Sequence, residues 1–142
     1  MKKYLILLLA LGFMFSCNND DYNNNNRYLP NYNFSVNVDM NLPQYSQLMF
    51  ASNAVYVTQA NAGINGVIVM NTGSGYAAYE ATCPNQEITT CSILDIQGVM
   101  AVCPCDDVEY SLFTGLANSP VEYPLKPYRV ELVGQNVLRI YN

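Results

Sequence analysis

Cysteine is the residue type in this chain with the most chemistry to offer: five are present, and histidine is absent. Cys83, Cys91, Cys103 and Cys105 lie close together in sequence, while Cys17 closes an apolar N-terminal run. Lack of histidine removes the commonest general base and the commonest catalytic metal ligand. There is also no Ser-His-Asp order and no glycine-rich phosphate loop, so no enzyme is expected. Zinc is a poor match for the cysteines, since Cys103-Pro104-Cys105 is tighter than the usual two-to-four-residue ligand spacing and Cys91 lies well beyond Cys83. A redox-active pair lacks a Cys-x-x-Cys spacing and any nearby histidine or lysine to activate a thiol.

The compartment favours disulfides. Met1-Lys2-Lys3 is a short positive start, Tyr4 to Phe15 is an apolar run, and Ser16-Cys17 follows directly. Such a run is too short for a membrane span of about 20 residues and reads as an export signal over residues 1–16. Met14-Phe15-Ser16-Cys17 resembles a bacterial lipobox, which implies cleavage before Cys17 and lipid attachment to its thiol. The chain is then expected at the cell envelope, as an outer-membrane lipoprotein facing either the periplasm or the surface. Its membrane contact would be a lipid anchor. Four cysteines remain in an oxidising environment and allow three connectivities. A Cys103–Cys105 bond is disfavoured across one residue of extended chain, and the other two patterns stay open.

Residues 17–33 are polar, aperiodic and asparagine-rich, and are expected to form a tether between lipid and domain. Without residues 1–16, four cations face eleven acids, a net charge of −7 (4 − 11). Nothing here would neutralise phosphates, so nucleic acid is excluded as a partner.

Residues 34–142 carry a β pattern. Phe34, Val36, Val38, Met40 and Leu42 alternate with polar residues at period two. Ala54–Thr58, Val67–Met70, Tyr76–Ala81, Ile93–Ile96 and Val99–Val102 are short strand-like runs separated by glycine-bearing turns, and Gly134-Gln135-Asn136 joins the last two. Gln44 to Ser52 lacks strand period and is expected to hold a helical turn. The expected class is an all-β antiparallel sandwich or barrel.

Cys83-Pro84-Asn85 and Cys103-Pro104-Cys105-Asp106 resemble the two cluster-binding loops of the Rieske [2Fe-2S] family, which read Cys-x-His and Cys-x-x-His. The order beyond Cys103 is also similar: Tyr110, Leu112, Thr114-Gly115, Ser119-Pro120, Pro124-Leu125, Tyr128 and a closing Val137-Leu138-Arg139-Ile140. Tyr76 to Thr82 matches the strand that feeds the first loop. The resemblance implies a larger antiparallel base carrying a small loop-bearing subdomain at one end. It also implies the pairings Cys91–Cys105, from the family's loop-bridging disulfide, and Cys83–Cys103, from the two thiolates that share one iron.

Departures fall at the ligands. Asn85 and Asp106 stand where the family has its two histidines, Asp107 replaces a glycine, and Val108 replaces a hydroxyl residue. With cluster-ligand positions Cys83, Asn85, Cys103 and Asp106, one iron would be nearly bare, so no cofactor is expected. The resulting expectation is a non-enzymatic, lipid-anchored Rieske-like domain, cluster-free and disulfide-stabilised, acting as a scaffold or interaction module for an unidentified protein partner. One alternative is an electron-transfer protein with a [2Fe-2S] site on Cys83, Cys103 and Asp106. Another is a surface protein binding a hard metal through Glu87, Asp106, Asp107 and Glu109, or a glycan through exposed tyrosines.

Overall fold

The computed structural model describes residues 25–142. The signal over 1–16, Cys17 and the first part of the tether lie outside the described residues. Among the described residues no helix is long and apolar enough to cross a membrane.

Among the described residues, nine strands form two antiparallel sheets. The larger contains β1 (Ser35–Asp39), β2 (Ala54–Val57), β3 (Val67–Asn71), β4 (Tyr76–Glu80), β8 (Pro127–Gly134) and β9 (Val137–Tyr141), in the order β1-β9-β8-β4-β3-β2. The smaller contains β5 (Asp95–Gln97), β6 (Met100–Val102) and β7 (Glu109–Ser111). A 3-10 turn, Ser46–Met49, occupies the aperiodic stretch and buries Leu48. The fold is all-β, with a large antiparallel base and a small subdomain.

Strand β3 explains how one sheet serves two cores. Successive side chains of a strand point to opposite faces. Val67 and Val69 pack with Val38, Val55, Leu138 and Ile140 inside the base, while Ile68 and Met70 pack with Leu94, Ala101, Tyr110 and Leu112 beneath the small sheet. All four are fully buried, so the unbroken apolar run is what a strand covered on both faces requires. β4 and β8 form a short ladder, with Ala78↔Tyr128 and Tyr79↔Pro127 in register, where the base curls around its core.

The small sheet is fastened to the base at several points. Leu94 N–H donates to Ala81 carbonyl at 2.8 Å and Cys83 N–H to Ser92 carbonyl at 2.7 Å. From β2, the Tyr56 hydroxyl donates to the Leu94 carbonyl and accepts from Ile96 N–H. At the end of β4, Glu80 is fully buried and accepts four hydrogen bonds: from Ile64 N–H, Asn65 N–H, the Thr82 hydroxyl and the Tyr128 hydroxyl. Gly63 is required at this point, because its φ is +63° and a Cβ would stand 2.6 Å from Glu80 Oε2.

Two local expectations differ from the structure. Leu42 continues the period-two pattern in sequence but lies beyond β1, which ends at Asp39, and is exposed. Within the polar segment expected as tether, Asn26 and Leu29 are buried, while Arg27 and residues 30–33 are exposed. Asn26 Oδ1 caps the turn by accepting from Tyr28 N–H and Leu29 N–H, and its Nδ2 donates to the Pro84 carbonyl at 2.7 Å. Lys126 holds the rest of the segment, donating from Nζ to Leu29 O, Pro30 O and Asn31 Oδ1 at 3.1, 2.8 and 2.7 Å.

Candidate functional site

Three loops meet at one end of the small subdomain. The first leaves β4 through Cys83-Pro84-Asn85 and runs to Ser92. The second, between β6 and β7, begins at Cys103, and the third, after β7, contains Gly115 and Tyr123. The second loop is a tight turn: Cys103 N–H donates to Val108 O and Asp107 N–H to Cys103 O, each at 2.9 Å. Asp107 adopts φ 57°, a left-handed conformation that favours glycine and that aspartate tolerates. Gly115, at φ +74°, lets the third loop lie against Tyr79, whose ring edge would be 2.8 Å from an added Cβ.

Two disulfides join the first and second loops. Cys83 pairs with Cys103 at a Cα separation of 5.7 Å, and Cys91 with Cys105 at 5.3 Å, both ordinary for this bond. Their environments differ. Cys83 and Cys103 are 1% and 0% exposed, whereas Cys91 is exposed and Cys105 half-buried. The Sγ atoms of Cys83, Cys103 and Cys105 lie within 4.8 Å of one another, so the two bonds form one compact sulfur cluster. Hydroxyls flank its outer side: Thr89 Oγ1 is 3.3 Å from Cys91 Sγ and 3.8 Å from Cys105 Sγ, and Ser92 Oγ is 3.9 Å from Cys105 Sγ.

Asn85 is a structural clamp. Its Nδ2 donates to the Tyr110 hydroxyl at 2.9 Å and the Tyr123 carbonyl at 2.8 Å, while its Oδ1 accepts from Tyr123 N–H at 2.8 Å. Both amide hydrogens and the oxygen are thereby engaged, tying the first loop to the third. Tyr110 is itself buried; burial raises its pKa, the Asn85 hydrogen bond lowers it, and the Asp106 charge adds a smaller upward push. Asp106 is exposed, with Oδ1 accepting from Val108 N–H at 3.1 Å within its own turn.

These residues do not fit a [2Fe-2S] cluster. The two sulfurs that would bind one iron are bonded to each other, the Asn85 amide is committed to Tyr110 and Tyr123, and Asp106 is turned to solvent. The acids Glu87, Asp106, Asp107 and Glu109 are all exposed, and Glu109 Oε2 accepts from Asn118 Nδ2. Among the described residues, the potential metal ligands that converge are sulfurs and not these carboxylates. For a glycan platform, Tyr76, Tyr79, Tyr128 and Tyr141 line, with Arg129, a cavity of about 400 Å³ along β4 and β8. Tyr128 is itself buried, so it offers that cavity little free ring face.

Sequence reading did not single out Asn26, Lys126, Ser92 or Glu80. Ser92 is fully buried and organises the first loop, its hydroxyl accepting from Thr89 N–H at 2.8 Å and Gln86 Nε2 at 3.2 Å and donating to Glu87 O at 3.3 Å. A polar residue directly after Cys91 gave no local signal of this role.

No protein-family model matches the chain, and no curated protein matches it. Among solved structures, it is similar to a chain of the complex of reduced oxygenase and oxidized ferredoxin in carbazole 1,9a-dioxygenase, at 21% identity and TM-score 0.49, covering 77% of this chain and 92% of that one. It is similar to the ferredoxin of carbazole 1,9a-dioxygenase from Nocardioides aromaticivorans IC177, at 17% identity and TM-score 0.46, over 74% and 96% of the two chains. A third likeness is to the Sphingomonas yanoikuyae B1 ferredoxin, at 19% identity and TM-score 0.46, over 66% and 88%.

Proposed function

We propose that this chain is a Rieske-like domain that has exchanged its iron-sulfur cluster for covalent sulfur bonds. In this reading it is lipid-anchored through Cys17 at the cell envelope and works without catalysis, as a disulfide-stabilised scaffold or interaction module for a protein partner. The observation that carries it is the commitment of the site's own groups: Cys83 and Cys103 are bonded together, and Asn85 spends its whole amide on Tyr110 and Tyr123. A ligand pair bonded sulfur to sulfur would have to be reduced before it could hold iron, and the second iron would still lack imidazole. The loops nevertheless stay clamped at the same place, since each disulfide constrains the unfolded chain as a metal clip would.

The test is an intact mass and metal measurement on the protein purified from membranes under non-reducing conditions. The expected result is a colourless protein, free of iron and acid-labile sulfide, whose polypeptide mass is four hydrogens below that of the fully reduced chain, as two disulfides require. Stoichiometric iron with visible absorbance would instead establish an electron-transfer protein. Release of the protein from membranes by a Cys17→Ser substitution tests the anchor.

A further inference from the structure

Two disulfides of unequal accessibility share one sulfur cluster. The buried bond, Cys83–Cys103, has at most 1% exposure at either residue, so a thiol in solution has no approach to it. The outer bond presents Cys91 to solvent. Thiol–disulfide exchange proceeds by attack of a thiolate on a disulfide sulfur and is limited by access. Cys105 Sγ is within 4.8 Å of both sulfurs of the buried bond while bonded to Cys91, and a side-chain rotation covers the remaining distance to an attack separation of about 3–3.5 Å.

We infer that the outer disulfide is an exchange relay for the buried one, with Cys105 as the internal nucleophile and a dithiol reductant as the external partner. In the first step one thiolate of the reductant attacks Cys91 Sγ, and Cys105 leaves as a thiolate. The second thiol of the reductant closes on the first, which releases Cys91 as a thiol and carries away the oxidised reductant. Cys105 thiolate then attacks Cys83 Sγ, forming Cys83–Cys105 and expelling Cys103 as a thiolate. Attack on Cys83 is the productive direction, because a bond from Cys105 to Cys103 would have to close across a single intervening residue. Finally Cys91 attacks Cys105, restoring Cys91–Cys105 and leaving Cys83 reduced. Two electrons and two protons pass from the dithiol to Cys83 and Cys103, and the outer bond is regenerated.

The surroundings suit this sequence. Thr89 Oγ1 is 3.3 Å from Cys91 Sγ and 3.8 Å from Cys105 Sγ, so a hydroxyl hydrogen is at hand for the two outer thiolates as they are released. Reduction of the buried pair would remove one of the two bonds joining the first and second loops, the one at their base, and so loosen the tip. The relay therefore makes the tip responsive to envelope redox state, a property beyond the scaffold role and dependent only on the two disulfides.

The deciding experiment uses Cys91→Ser in the full chain, which leaves Cys105 free without any reductant. After acid quenching and alkylation, non-reducing peptide mapping is expected to find Cys83–Cys105 beside Cys83–Cys103, as a minor state of roughly 1–10% or more. Alkyl label is then expected on Cys103 as well as on Cys105. Label confined to Cys105, with Cys83–Cys103 intact, would overturn the relay. Should this variant fail to fold, the wild-type protein treated with limiting dithiothreitol decides the matter. The Cys83–Cys105 species must appear before the fully reduced protein; reduction that stops with Cys91 and Cys105 as thiols refutes the proposal. Neither result bears on iron content, so the cluster-free reading stands or falls separately.

Discussion

Asn85 and Tyr123 exchange two hydrogen bonds, side chain to backbone, each at 2.8 Å. The amide thus mimics a strand partner. Replacing Asn85 by Ala would leave Tyr123 N–H and the Tyr110 hydroxyl without their partner. The expected loss is about 1–3 kcal/mol, read from the urea midpoint at constant m-value. Asp106→Ala removes only an exposed bond to Val108 N–H and is expected to cost less than about 1 kcal/mol. Equal losses at the two positions would show that the clamp is not structural.

The two disulfides close loops with sequence separations of 20 and 14, for which chain entropy alone gives about 3 kcal/mol each and almost no difference between them. Burial breaks the tie. Replacing Cys83 and Cys103 by Ser puts two hydroxyls into the core beneath the small sheet, where each unpaired group costs roughly 1–3 kcal/mol more. Cys83→Ser with Cys103→Ser is therefore expected to lower the denaturation midpoint clearly more than Cys91→Ser with Cys105→Ser. Matching midpoints would mean that the buried pair contributes no packing.

What the sequence made legible were the features encoded locally. The period-two run from Phe34 to Leu42, the apolar run Val67–Met70 and the Gly134-Gln135-Asn136 turn each carry their own signal, and they mark β1, β3 and the β8–β9 connection. Even there, Leu42 extended the pattern past the end of β1, because alternation does not mark where pairing stops. The commitment of Asn85 was not legible: an amide in a ligand position looks like simple loss until its bonds to Tyr110 and Tyr123, 25 and 38 residues away, are seen. The anchoring of the segment around Asn26 and Leu29 was hidden for the same reason. An asparagine-rich stretch has the composition of a tether, and what holds it is a lysine 95 to 97 residues distant in sequence.

That lysine supplies the third prediction. Lys126 is 1% exposed and spends its ammonium on two carbonyls and the Asn31 side chain. Lys126→Met keeps the aliphatic stem and deletes the three bonds. Amide exchange should accelerate over residues 26–33, by about tenfold or more for each 1.4 kcal/mol lost, while β8 and β9 keep their protection. Acceleration spread uniformly over both sheets would show that the lysine supports the core and not the segment.

Alkaline stability should be governed by opposed shifts beside Glu80. Burial holds the Tyr128 phenol far above its ordinary value of 10.0, and the charge of Glu80, which accepts its hydrogen bond at 2.7 Å, pushes in the same direction. Above pH 10 the unfolded chain loses this proton and the folded chain keeps it, so the stabilisation is complete below pH 10 and is lost as pH rises. Burial moves Lys126 below 10.5, with Glu80 opposing; between its folded value and 10.5 the unfolded chain holds more protons, and stability there rises with pH. Urea midpoints followed from neutral pH to 11.5 should therefore decline above pH 10, once the tyrosine dominates. In Tyr128→Phe the decline should be shallower by up to about 1.4 kcal/mol per pH unit, although the variant is weaker near neutrality for want of a bond to a buried carboxylate. Tyr56 and Tyr110, also raised by burial, leave a residual slope in the variant. Identical slopes in the two proteins would place the Tyr128 proton elsewhere.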